Sequence, residues 1–189
     1  MKRKTIYTLL VITFILSFFV TPLGDFAKSE LMRLNASPPE IIAADNQERL
    51  PYYNWRLRDA DGEYLNFAKS KGHVVFIHFW ATWHTPSASE LQDIQKLYEE
   101  YHDKVDFYIV TNEERFPVEE FMEKKAYTFP ITYRIVDEPS PLEIPDPSGA
   151  YLIDREGDIV IQTVEIQDWY NEEVTGLLDS LVVAPNLKP

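Results

Sequence analysis

The stretch FWATWHTPSASEL, Phe79 to Leu91, decides the fold, because it joins two opposite periodicities. Before it runs HVVFIHFW (His73 to Trp80), a nearly continuous apolar segment. Such a run predicts a central strand buried on both faces. After it, Leu91, Ile94, Leu97, Tyr98 and Tyr101 recur at helical spacing, with Glu90, Asp93, Lys96 and Glu100 assigned to the other faces. Between them, Thr85-Pro86 reads as a helix cap followed by proline at the first helical position. Ser87-Ala88-Ser89-Glu90 offers a capping box as the alternative. A buried strand therefore runs through an exposed turn into the N-terminus of a helix.

Working outward, NWRLRD alternates as a short strand, and Asp61-Gly62 turns it into EYLNF. VDFYIVT (Val105 to Thr111) is a second buried strand, and Pro117 to Lys125 a second amphipathic helix opened by proline. ITYRIV reads as a short strand or extended segment. AYLID and DIVIQT form a hairpin across Arg155-Glu156-Gly157, and Trp169 to Leu181 closes the chain as a helix. Strands interleaved with helices, then a hairpin and helix, predict an α/β fold with a central mixed sheet flanked by helices.

The chain has 189 residues, enough for one domain with some extra sequence. A hydrophobic content of 45% supports a core, and a net charge of −13 excludes nucleic-acid recognition, which needs a basic face. Lys2-Arg3-Lys4 precede the apolar run Ile6 to Val20. A basic flank before an apolar span of about 19 residues, Thr5 to Leu23, predicts a signal anchor with the rest of the chain outside the cytoplasm. The expected organisation is a signal anchor or transmembrane helix over 1–24, a membrane-proximal spacer over 25–49 with a short helix around Ser29 to Leu34, a globular domain over 50–183 and a tail over 184–189. The expected location is the cell membrane, single-pass, with an extracytoplasmic (periplasmic) domain. No cysteine is present, so the chain has no disulfide, thiolate nucleophile or cysteine-based metal site.

VVFIHFWATWHTPSASEL resembles the active-site segment of thioredoxin-like proteins, particularly the membrane-anchored TlpA/ResA branch. There a strand leads through Phe-Trp-Ala-Thr-Trp into Cys-x-Pro-Cys and a helix. Phe79, Trp80, Ala81, Thr82 and Trp83 match, Pro86 sits between the cysteine positions, and His84 and Ser87 occupy them. NWRLRDADGEYLNFAKSKG and YLIDREGDIV resemble the hairpins on either side, so the likeness runs in order from about Tyr53 to Leu181. The resemblance implies a thioredoxin-like fold with the motif at a helix N-terminus. It does not carry over thiol-disulfide exchange, which proceeds through thiolate attack and a mixed disulfide. Two positions also depart from the family. His78 stands where asparagine or aspartate is usual. The family's cis-proline falls at Ser148 by counting back from Tyr151, with Pro147 one residue early; either Gly149 absorbs a bulge that lets Pro147 serve, or the loop is remodelled.

The positions matching the family motif are therefore Trp83, His84, Thr85, Pro86 and Ser87, with His78, Pro147 and Ser148 around the groove. His84, at a helix N-terminus, is predicted neutral near pH 7. A Ser87–His84 catalytic pair is disfavoured, because the helix start is expected to splay the two side chains and no carboxylate is evident to orient the ring. His78 is expected buried, as a hydrogen-bonded core histidine or as part of a site with His84, while His73 lies too far along the strand to join. Glu138, Glu143 and Asp146, in the Pro-rich loop after ITYRIV, read as solvated charge or a weak cation site. No cofactor and no confident metal or catalytic residue is expected. The reading is a membrane-anchored thioredoxin-like domain, without a redox dithiol, that binds a protein or peptide. The alternative is a repurposed enzyme or metal site centred on His84.

Overall fold

The computed structural model describes residues 3–20, 24, 27–28, 31–32 and 35–183. The apolar N-terminal run forms helix α1 (Arg3–Val20). Among the described residues no helix is long and apolar enough to cross a membrane. The expected spanning helix of about 19 residues is thus not seen as such: α1 has 18 residues, its first two are cations, and Thr21 to Leu23 lie outside the described residues. So do most of the expected short helix at Ser29 to Leu34 and the whole tail from residue 184.

The body is a seven-stranded sheet in the order β2-β1-β5-β4-β3-β6-β7. β1 (Arg56–Arg58) and β2 (Tyr64–Asn66) form the predicted hairpin, and β1 pairs antiparallel with β5 (Ile131–Arg134). β5, β4 (Val105–Thr111) and β3 (Val74–Phe79) run parallel, and β6 (Gly149–Ile153) and β7 (Ile159–Thr163) complete the sheet antiparallel. All six residues of β3 are buried, as expected of a strand without a wet face.

Helix α2 (Thr85–Tyr101) connects β3 to β4, and α3 (Arg115–Lys125) connects β4 to β5. Both parallel crossovers step across the sheet in the same direction, so their common handedness puts both helices on one face. α4 (Glu172–Val183) packs there too: Leu91, Ile94, Leu97, Val118, Val174 and Leu178 share one core with Phe76, Phe107 and Ile109. The opposite face is covered by a 3-10 turn (Phe67–Ser70), by Leu50 and Trp55, and by Leu142 of the Pro-rich loop. Helix α3 begins two residues before the predicted proline, and α4 begins at Glu172 because Asn171 Oδ1 caps its Glu173 and Val174 amides.

The segment expected to be a spacer is partly docked. Ile42 N–H donates to Val160 O, Ile159 N–H to Glu48 O, and Arg49 makes a bidentate pair with Asp158 at 2.6 and 2.8 Å. This covers backbone groups of β7, which would otherwise be an open edge strand. The packed body therefore starts ahead of the Leu50 boundary.

Candidate functional site

Strand β3 ends at Phe79 and delivers Ala81 to His84 as a turn above the sheet. The turn is held from the neighbouring strand: Glu113, just beyond β4, accepts from Thr82 N at 2.6 Å and from Thr82 Oγ1 at 2.7 Å. Trp83 projects from it, 68% exposed, with its ring edge-on to His84 at 5.7 Å.

The residue that caps α2 is His84, rather than Thr85 as the sequence suggested. Its Nδ1 accepts from Ser87 N at 3.3 Å, the usual service of an N-cap side chain to the third helical amide. Thr85 and Pro86 are then the first and second helical residues. The same fold-back brings His84 Nδ1 within 3.1 Å of Ser87 Oγ, so the predicted splaying does not occur. Accepting through Nδ1 places the proton of the neutral ring on Nε2. Burial lowers the His84 pKa, in line with a neutral ring.

Ser87 is nonetheless no nucleophile. It is fully buried, its Oγ accepts from Ala81 N at 3.3 Å, and its hydroxyl also lies 3.1 Å from His84 O. A catalytic hydroxyl must reach substrate. This one ties the turn to the helix.

Beneath the motif lies His78, also fully buried, with Nε2 3.3 Å from Ser87 O and Nδ1 without a partner. Donation to that carbonyl places its proton on Nε2. Two residues expected on the wet face of α2, Glu90 and Asp93, are buried. Glu90 is 1% exposed, where the sequence reading had placed it outward. Its Oε1 accepts from Trp169 Nε1 at 2.8 Å and Gln167 N at 3.1 Å, while Oε2 has no hydrogen-bond partner and lies 4.0 Å from His78 Nε2. Asp93 is buried as well, at 5%. The capping box Ser87–Glu90 therefore does not form; Glu90 binds the segment before α4 instead.

Burial pushes the Glu90 carboxyl up to about 8, against the pull of its two donors, and pushes His78 down to about 4, against its bond to Ser87 O. Between those values the acid is protonated and the imidazole neutral, so their proximity is a contact of neutral groups and not an ion pair. Glu90 could have been found by spacing: Ser87, Glu90, Ile94, Leu97 and Tyr101 follow one another at intervals of three and four, one continuous helical stripe.

Across from the motif, the one cis peptide bond among the described residues joins Pro147 to Ser148. Ser148, the residue found by counting back from Tyr151, thus takes the family's cis position, and no bulge occurs at Gly149. That glycine pairs regularly with Phe79, and the sheet's irregularity lies at Leu152/Ile153. A Cβ at Gly149 would overlap the ring of Pro145, which explains why the strand starts with glycine. An open groove runs between the motif and this loop, lined by His84, Pro86, Pro145 to Ser148 and Val164 to Ile166.

The remaining candidates disperse. His73 pairs with Asp106 at 3.0 Å, Glu138 makes a bidentate pair with Arg56, and Glu143 offers its carbonyl to Tyr151 OH. Among the described residues, no three His, Asp or Glu side chains are grouped to hold a metal ion.

Comparison with known proteins agrees with this geometry. The model of the redoxin family (described as Redoxin) matches residues 44–138, half the chain, from the docked N-terminal segment through β5. A thiol-disulfide oxidoreductase ResA from Bacillus cereus is 26% identical over 93% of this chain and 99% of its own length. The thioredoxin-like protein YneN of Bacillus subtilis is 28% identical over 67% and 75%. Among solved structures, a DsbF homologue from Corynebacterium diphtheriae superposes with a TM-score of 0.61 at 14% identity, covering 78% of this chain and 95% of its own. That likeness shows the thioredoxin-like fold.

Proposed function

The chain belongs to the redoxin family, in its thioredoxin-like ResA branch, and has no sulfur at either position of the motif; we propose that it is a redox-inactive member that works by binding an extended protein or peptide segment. The observation that carries this is the fate of the two cysteine positions. His84 and Ser87 are consumed in capping α2, while the groove beside them stays open. Val164 lines the groove and Trp83 stands against groove-lining His84, 64% and 68% exposed, so both offer apolar contact to an extended chain. The repurposed-enzyme reading draws no support from Ser87, which is buried.

The location we propose is the cell membrane, with α1 as anchor and the domain outside the cytoplasm. Its support is the basic flank before the apolar run, and the exposure of Leu10, Val11, Phe14 and Ile15 around the helix, which leaves them for lipid. External protease added to spheroplasts should then digest the domain and spare an N-terminal membrane fragment; full protection of the domain would refute the topology.

Binding is tested by panning a displayed library of extended peptides against the detergent-solubilised chain. Enriched peptides should bind the native chain and lose at least about tenfold in affinity to Trp83→Ala, as loss of an interface aromatic does. Failure to enrich any peptide over an unrelated bait would contradict the proposal.

A further inference from the structure

Behind the loop that forms one wall of the groove is a separate cavity of about 110 Å³. It sits at the C-terminal ends of β3, β4 and β5, on the sheet face away from the helices. Phe79, Val110, Ile144 and Pro145 supply apolar walls on one side, and Thr111, Asn112 and Arg134 line it with polar groups. The side of Arg134 follows from register. Ile131 and Tyr133 belong to the core under the helices, so Arg134 projects to the other face, opposite Leu57 of β1, which is buried there.

Arg134 is unusual in its surroundings. Its Nε is buried and has no hydrogen-bond partner, and no carboxylate lies within ion-pair distance of it among the described residues. In a chain of net charge −13, other arginines such as Arg49, Arg56 and Arg115 are paired with acids. Buried donors in folded proteins almost always have acceptors, so the orphaned Nε of a half-buried arginine beside this cavity indicates an absent one. A guanidinium is complementary in shape and charge to a carboxylate. The walls ask for a short hydrocarbon stem. An apolar cavity of about 150 Å³ holds a benzene ring, so this one has room for roughly four or five non-hydrogen atoms. Exposed Asp146 also lines the cavity and disfavours a second negative charge on the ligand.

We propose that Arg134 and this cavity form a binding site for a short aliphatic monocarboxylate. The carboxylate accepts from the guanidinium and its stem packs on Phe79, Val110 and Ile144. The same chemistry comes either as a free acid of propionate size or as a glutamyl side chain of a peptide. Pro145, Asp146 and Pro147 line both cavity and groove, so a peptide in the groove runs past its wall.

The test is titration of the full-length, detergent-solubilised chain with sodium propionate at constant ionic strength, followed by NMR at the Arg134 side chain and the Ile144 methyls. Saturable shifts with a dissociation constant of about 1 to 10 mM are expected, given the few atoms such a ligand offers. Propionamide should give none. Arg134→Gln should weaken binding at least about tenfold, as expected on losing a charge-assisted pair. Ile144→Trp, which fills the space and keeps the guanidinium, should weaken it comparably, and carries the test if the glutamine variant does not fold. Acetyl-Gly-Glu-Gly-amide binding more tightly than propionate, with the Gln tripeptide silent, would assign the source to a side chain; the reverse order would assign it to a free acid. Absence of saturation, or propionate binding unchanged in the folded variants, would overturn the site.

Discussion

Glu90 Oε2 lies 4.0 Å from His78 Nε2, and both side chains are closed to solvent directly beneath the helix cap. The first consequence is a pH dependence of stability. Glu90 has its folded pKa raised to about 8 from 4.5, so its contribution is full below about 4.5 and is lost as pH rises through about 8. His78 has its folded pKa lowered to about 4 from 6.5, so its contribution is full above 6.5 and is lost as pH falls through about 4. From 4.5 to 6.5 the two slopes oppose and nearly cancel. From 6.5 to 8 the Glu90 slope stands alone. Denaturant unfolding should show stability falling by about 2 kcal/mol across that upper window, and Glu90→Gln should flatten it. A native chain whose stability does not fall from pH 6.5 to 8 would show that Glu90 is already ionised in the fold.

The turn carrying Trp83 depends on a single acid. Glu113 receives both Thr82 N–H and Thr82 Oγ1–H. Glu113→Ala should cost about 1 to 3 kcal/mol, since it strands a part-buried amide donor. Hydrogen exchange at the Thr82 amide should rise by a larger factor than at β3 amides. Equal acceleration everywhere would mean the clamp acts on global stability alone.

The frame retains the geometry of a dithiol site. His84 Nδ1 and Ser87 Oγ are 3.1 Å apart, so the two side chains already meet. His84→Cys with Ser87→Cys should form a disulfide under mild oxidation, measured by thiol titration. The helix N-terminus should lower the pKa of the thiol at position 84. We expect this variant to reduce insulin poorly, because His78 and Ser148 differ from the residues that surround working dithiols in the family. Full reductase activity would argue that only the sulfurs separate this chain from its relatives; failure to close the bond would argue against the helix start described here.

Much of this was legible in the sequence, for definite reasons. The unbroken apolar run of β3, the helical recurrence from Leu91 to Tyr101 and the Gly turns each impose one local solution, and the sheet follows from their order. The burial of His78 followed from its place in that run. What the sequence hid were choices made by distant partners. Glu90 stands on the buried stripe of α2, but its donors, Trp169 and Gln167, come from the far end of the chain and are not visible in the local sequence. His84 displaced Thr85 as the cap because an imidazole nitrogen can do what a hydroxyl does, a substitution outside the usual cap residues. The Arg134 cavity depends on a loop from Ile144 to Pro147 that has no periodicity to read. The docking of Ile42 to Arg49 along β7 likewise arises from an open strand edge and not from any pattern of its own.

The central claim, a groove that binds where relatives carry a redox motif, is tested most directly in cells by placing a photo-crosslinking amino acid at Val164. This residue lines the groove, whereas Tyr64 lies on β2 at the opposite edge of the sheet and is equally exposed, 64% against 67%. A discrete crosslinked protein or peptide adduct from position 164, absent from position 64 and lost with Trp83→Ala, is the predicted result. No adduct at 164, or the same adducts from both positions, would contradict it.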